Sequence, residues 1–186
     1  NLEKARGNTQ PKCAMKPKNV SAKGLFHPAD DHERVVRPNL RAKIERVLIS
    51  STAIREQTRR IARAIAHDAQ KEKSGEIHLV IVLKGATIFG AMLAQYIFEC
   101  KGPPVRLDFI RASSYGQNTT SSENVKIDGH LSKIKGRHVV IVEDIADTGL
   151  TLCRVKAHLT RDRGAKSVHI CVLLNKPSRR LPELQK

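Results

Sequence analysis

Four consecutive β-branched residues, Val139-Val140-Ile141-Val142, constrain the fold of this chain more than any other stretch. An unbroken apolar run of that kind marks a strand buried on both faces, which is the habit of parallel sheets. Two acids, Glu143 and Asp144, close the strand. Ile145-Ala146-Asp147-Thr148-Gly149-Leu150-Thr151-Leu152 then forms a short loop with a third acid, two threonines and a glycine, from which an amphipathic helix opens. A loop that leaves the carboxyl end of a parallel strand and starts a helix gathers free backbone N–H groups and the positive helix end around an anion. Thr148 and Thr151 add hydroxyl donors, and Gly149 lets the backbone come close.

Glu143 and Asp144 would repel a bare phosphate. They point instead to a polyhydroxylated sugar or a bridging Mg²⁺ beside the phosphate. A phosphorylated ribose satisfies both halves of the loop.

The whole run resembles the 5-phosphoribosyl-1-pyrophosphate signature of the type I phosphoribosyltransferases, two apolar residues followed by Glu/Asp-Asp-x-x-Asp-Thr-Gly-x-Thr, without a gap. Three further segments resemble the hypoxanthine-guanine members of that family. Leu83-Lys84-Gly85-Ala86-Thr87 is similar to their Leu-Lys-Gly loop, Arg111-Ala112-Ser113-Ser114-Tyr115-Gly116 to their Ser-Tyr flap, and Leu173-Leu174-Asn175-Lys176-Pro177 to the strand end that reads the purine. The likeness runs from about Arg46 to Arg180.

It implies an α/β fold with a doubly wound, mainly parallel sheet, a protruding flexible flap and a truncated hood. The implied activity is transfer of phosphoribose from 5-phosphoribosyl-1-pyrophosphate to a 6-oxopurine, with release of pyrophosphate. On the same resemblance, Glu143 and Asp144 bind the ribose hydroxyls and Mg²⁺, and residues 143–151 form the 5-phosphoribosyl-1-pyrophosphate site. Lys84 and Gly85 hold pyrophosphate, in this family through a non-proline cis peptide. Asp147 is the proton acceptor near purine N7, and Lys176 reads the exocyclic oxygen. Ser114 and Tyr115 close over the sugar. The family associates as dimers or tetramers. Past the residue matching Lys176 it builds a hood with an aromatic residue that stacks on the base, a second acid for metal and an arginine. Pro177 to Lys186 holds no aromatic residue and no Asp, so the hood's parts are not matched there.

Periodicity fills in the rest. Val47-Leu48-Ile49 reads as a short strand and Ser50 as the cap of a helix whose apolar face carries Ile54, Ile61, Ala62, Ile65 and Ala69. Arg55, Arg59, Arg60 and Arg63 line its other face. His78 to Leu83 reads as a buried strand. Thr87 to Glu99 follows as a helix, with Ile88, Met92 and Tyr96 on one line and Phe89, Leu93 and Ile97 beside it; Gly102-Pro103-Pro104 ends it, and Val105 to Ile110 is a third strand. Strand–helix–strand order implies right-handed crossovers in a parallel sheet. Residues 111 to 127 are polar and too long for a plain connector, the profile of a functional flap. A helix over 149–162 and a strand from Val168 to Leu174 complete the pattern.

Composition bounds the alternatives. Residues 1–38 are basic, proline-interrupted and aperiodic, an irregular extension before a core at 39–180 and a tail at 181–186. The chain does not begin with Met, so it reads as a processed or partial product. Its basic leader has the charge of an organellar import signal but no amphipathic helix. No apolar run approaches the length that crosses a bilayer. Four cysteines show neither close pairing nor metal-ligand spacing; Cys100, Cys153 and Cys171 lie in apolar stretches, as buried, reduced residues of a reducing compartment do. The net charge of +16 is not confined to the extension, which holds eight basic and four acidic residues. Most of the excess sits on the body, so a second reading is a non-catalytic subunit of a ribonucleoprotein such as an organellar ribosome, touching RNA backbone. A nucleotide-sensing regulator would use the same loop without catalysis. Two Tyr and four Phe leave little for stacking on bases.

Overall fold

The computed structural model of the protein describes residues 38–114, 125–129 and 131–181. The chain runs through a short 3-10 turn, Pro38–Lys43, and then α1 (Ser51–Lys71), β1 (Ile77–Leu83), α2 (Thr87–Glu99), β2 (Val105–Ser114), β3 (Val125–Asp128), β4 (His138–Ala146), α3 (Leu150–Ala157) and β5 (Ser167–Asn175). The five strands form one sheet in the order β3-β2-β1-β4-β5. All neighbours are parallel except β2 and β3, which pair antiparallel from Arg111↔Asp128 to Ser114↔Val125.

Strand alternation divides β1 between two cores. Val80 and Val82 face one side, where they meet Ile141, Leu152, Val155 and Leu159 under α3. Leu79 and Ile81 face the other, against Phe89, Leu93 and Ile97 of α2 and Ala62 of α1. Helices thus cover both faces, as a doubly wound sheet requires. Gly90 brings α2 down onto β1: a Cβ there would lie 2.5 Å from Ile81 Cδ1.

Several expectations change in detail. Val47-Leu48-Ile49 is irregular, and no strand pairs with it among the described residues; Leu48 is 62 % exposed. Three apolar residues make a strand only where a neighbouring strand pairs their backbone groups; exposed ones can bond to water instead. Ser50 does cap α1, accepting a hydrogen bond from the Ala53 N–H at 3.1 Å. The buried face of α1 includes Gln57 and Thr58 as well as alanines; the Thr58 hydroxyl donates to the Ile54 carbonyl at 2.7 Å. Arg59, Arg60 and Arg63 are exposed, and Arg59 lies 4.7 Å over the Tyr96 ring. On α2 the line through Ile88 fails, since Ile88 is 72 % exposed while Tyr96 is buried. The stretch 111–127 is not wholly a loop, because β2 and β3 form a paired stem at its two ends. Residues 115–124, with Tyr115, lie outside the described residues. Cys171 is buried, which pushes its thiol up to about 12, whereas Cys100 and Cys153 are only partly buried.

The acids do not end β4. The strand continues to Ala146, pairing Glu143 with Val172, Ile145 with Leu174 and Ala146 with Asn175 of β5. At the sheet's edge, Asp108 of β2 is buried and accepts from both the N–H and the hydroxyl of Ser132, at 3.0 and 2.8 Å. This anchors the segment that leads into β4.

Candidate active site

In a parallel sheet the loops at the carboxyl ends of the strands converge, and ligands bind where they do. Here those ends are Leu83, Ala146 and Asn175. After β1 comes the Lys84-Gly85 turn, entered through a cis Leu83–Lys84 peptide. Its Lys84 carbonyl accepts hydrogen bonds from the Thr87 N–H at 3.2 Å and the Thr87 hydroxyl at 2.7 Å. The Lys84 side chain is exposed.

Glu143 and Asp144 serve different walls of the site. Glu143 lines an open recess of about 180 Å³ together with Ile145, Ala146, Asp147, Thr148, Gly149, Thr151 and Leu152. That volume is smaller than the ~300 Å³ or more of a whole small-molecule site, and suits one fragment of a ligand. Asp144 lies against Gly85, where an added Cβ would stand 2.5 Å from its Oδ2. Its Oδ1 accepts a hydrogen bond from the Ile145 N–H at 2.9 Å. Burial, and then the adjacent Asp144, push the Glu143 carboxyl up to about 8. A crowded, partly desolvated carboxyl of this kind gains from any cation brought beside it. The donors are all oxygens, which fits a hard divalent cation. No group of three or more His, Cys, Asp or Glu side chains gathers for a metal among the described residues. A magnesium ion would therefore take these carboxylates and complete its shell from substrate and water.

The floor of the recess is the start of α3. Gly149 adopts φ 88°, a left-handed conformation that glycine takes without strain, and the helix begins at Leu150. The Leu150 N–H points toward Thr148 Oγ1 at 3.4 Å. Gly149 and Leu152 are buried and line the recess with Thr151, which sets the first turn of α3 against it, the end where a helix has unpaired N–H groups.

A strap of residues beyond β5 is bonded to the loop. Backbone N–H groups of Lys176 and Leu181 donate to the carbonyls of Ala146 and Thr148, at 3.0 and 3.2 Å. Between them, Arg179 Nε donates to Asp147 Oδ1 at 3.3 Å. Arg180 Nη2 donates to Asn175 Oδ1 at 2.5 Å. The Lys176 side chain is exposed. Of the residues singled out from sequence, Glu143, 145–149 and Thr151 line one recess; Asp144 does not line it but abuts Gly85, Leu150 stands at the helix start behind it, and Lys176 is tied to the loop by its backbone. Ser114 ends β2, where it pairs with Val125 of β3. Arg179 was not visible as a site residue, because only the pairing of β4 with β5 brings it across from Asp147.

Two acids near the carboxyl end of a parallel strand, a threonine-glycine turn and a helix start, brought together at one small recess, are the features of a phosphoribosyl-binding α/β protein. Residues 50–186 match the phosphoribosyl transferase domain, and the chain belongs to that family of enzymes. Its relatives include the hypoxanthine-guanine phosphoribosyltransferase of Mycobacterium avium, 38% identical over 141 residues, covering 74% of this chain and 67% of that protein. The hypoxanthine phosphoribosyltransferase of Haemophilus influenzae is 37% identical over 139 residues, 74% of this chain and 75% of that protein. Among solved structures, a hypoxanthine-guanine phosphoribosyltransferase from Bacillus anthracis superposes with a TM-score of 0.62 at 37% identity, covering 74% and 75% of the two chains. The hypoxanthine phosphoribosyltransferase of Trypanosoma cruzi gives 0.67 at 36% identity, with 74% and 73% covered. These relatives are enzymes by name, and they lend the ribonucleoprotein reading no support.

Proposed function

We propose that the chain is a 6-oxopurine phosphoribosyltransferase, which moves phosphoribose from 5-phosphoribosyl-1-pyrophosphate to hypoxanthine or guanine. The observation that carries this is the recess itself, with a helix start and threonine hydroxyls at one end and Glu143 at the other. The names of the relatives supply the purine.

Each residue then has a task that its position supports. Backbone N–H groups at 148–151 and the Thr148 and Thr151 hydroxyls hold the 5′-phosphate at the positive end of α3. Glu143 and Asp144 take the ribose hydroxyls and Mg²⁺, which when bound offsets the charge of pyrophosphate. Lys84 and the Gly85 turn, one residue from the Asp144 contact, bind the pyrophosphate that leaves. Lys176 donates to the exocyclic oxygen, and an analogue with an amino group there would leave the ammonium facing another donor. Asp147 accepts the purine N7 proton as N9 bonds to C1′ and the C1′–O bond to pyrophosphate breaks. Its carboxylate stands at the rim, where a base can reach it. Ser114 and Tyr115 cover the sugar and exclude water while positive charge develops at C1′. The enzyme acts as a homodimer or homotetramer.

Calorimetric titration with 5-phosphoribosyl-1-pyrophosphate and Mg²⁺, followed by hypoxanthine or guanine with pyrophosphate detection, tests the reading. Binding with stoichiometric pyrophosphate and nucleotide is the expected result. Binding without turnover refutes catalysis and leaves a sensor. No binding refutes the site.

A further inference from the structure

The strap beyond β5 is tied to the phosphate loop at three successive loop residues: Lys176 N–H to Ala146, Arg179 Nε to Asp147, and Leu181 N–H to Thr148. The two outer ties are backbone bonds that fix the strap's path. The middle one is a side-chain contact to the group assigned as proton acceptor. It is also within the strap's own turn, since the Arg179 N–H donates to the Lys176 carbonyl at 3.1 Å. Arg179 and Lys176 therefore belong to one turn, and the Arg179 side chain of that turn holds Asp147.

Energetics say the pair is not there for stability. The Arg179 and Asp147 side chains are 67% and 42% exposed. Ion pairs so open to water contribute little to folding. Geometry says more. Arg179 occupies Oδ1 alone, and Oδ2 has no hydrogen-bond partner among the described residues. The carboxylate is thus held by one oxygen with the other left free.

We propose that Arg179 is a positioning residue for the transfer. It fixes Asp147 so that Oδ2 faces purine N7 at a set distance from the Lys176 ammonium that reads the purine oxygen. This rests on the function proposed above. A planar guanidinium suits the task because its N–H directions are fixed, whereas an ammonium donates from a freely turning point charge. Misplacing a catalytic group by a fraction of its bond length is costly to rate, while phosphate and ribose contacts on the other side of the loop are untouched.

The test is a double-mutant cycle on the full chain, with purine and 5-phosphoribosyl-1-pyrophosphate varied separately. Arg179→Ala is expected to lower kcat/KM for hypoxanthine about tenfold while KM for 5-phosphoribosyl-1-pyrophosphate stays within about twofold. Arg179→Lys should recover part of the loss. In an Asp147→Asn background, Arg179→Ala should change nothing further, because its effect passes through that carboxylate. Equal losses in both backgrounds, or a loss confined to 5-phosphoribosyl-1-pyrophosphate, would overturn the assignment and leave the parent activity standing. No turnover by the unaltered chain overturns the activity and this role with it.

Discussion

Replacing Gly85 by Ala presses on the contact between the Lys84-Gly85 turn and Asp144. The backbone at Gly85 is not among those with positive φ, so alanine introduces no strain of its own. What it does introduce is a methyl 2.5 Å from Asp144 Oδ2, 2.9 Å from Cγ and 3.0 Å from Oδ1. The whole carboxylate faces the new carbon, and turning it about its own bond brings no relief. Since carbon contacts settle near 3.5–4.0 Å, the group must withdraw by about 1 Å. It then gives up the 2.9 Å hydrogen bond from the Ile145 N–H and leaves the position from which it would meet ribose or metal. A hydrogen bond to a charged group contributes about 1.5–3 kcal/mol, so the affinity for 5-phosphoribosyl-1-pyrophosphate should fall roughly 10- to 150-fold. Titration calorimetry against the unaltered protein measures it. Gly75→Ala, where nothing lies within 4 Å, serves as the neutral control. If Gly85→Ala binds 5-phosphoribosyl-1-pyrophosphate within twofold of the parent, Asp144 is not a ligand-binding group and the argument from close approach fails.

Two further outcomes follow from groups held away from water. The Glu143 carboxyl, pushed up from 4.5 to about 8, keeps its proton in the folded protein over a range where the unfolded chain has lost it. Unliganded stability should therefore decline as pH rises from about 4.5 to about 8, by at most about 1.4 kcal/mol per pH unit, and Glu143→Gln should flatten that slope in urea titrations. A parent protein whose stability is level across that range contradicts the burial described for Glu143. Asp108→Ala leaves the Ser132 N–H without its acceptor and should cost about 1–3 kcal/mol by the same titrations, with the 5-phosphoribosyl-1-pyrophosphate affinity of the surviving folded protein unchanged.

What could be read ahead of the structure was whatever rests on local pattern. The parallel strand at 139–142, the capped helix after Ser50 and the glycine turn at 149 announce themselves through β-branching, capping chemistry and backbone freedom. The same logic misplaced the end of β4. Acids are disfavoured in strands, so Glu143 and Asp144 looked like a stop, yet the strand stays paired with β5 on either side of Asp144, at Glu143 and at Ile145. β3 was hidden because Val125–Asp128 is four residues long and set in a polar stretch. Val47 to Ile49 looked like a strand because composition does not reveal whether a neighbour exists. Asp108 with Ser132, and Asp147 with Arg179, are pairs 24 and 32 residues apart. No periodicity links such partners; only the order of strands does.

The three ties between strap and phosphate loop bear on biosynthesis. The loop at 146–148 is translated some thirty residues before the segment that holds it, and β5 must dock on β4 before Lys176, Arg179 and Leu181 can reach across. A nascent chain that ends inside α3 carries the full signature run, yet its loop lacks half of its neighbours. Long-range pairings of this sort form late and slowly. Competence to bind phosphoribose should therefore switch on as residue 181 clears the ribosome, which makes ligand protection of the loop a reporter of how far synthesis has advanced.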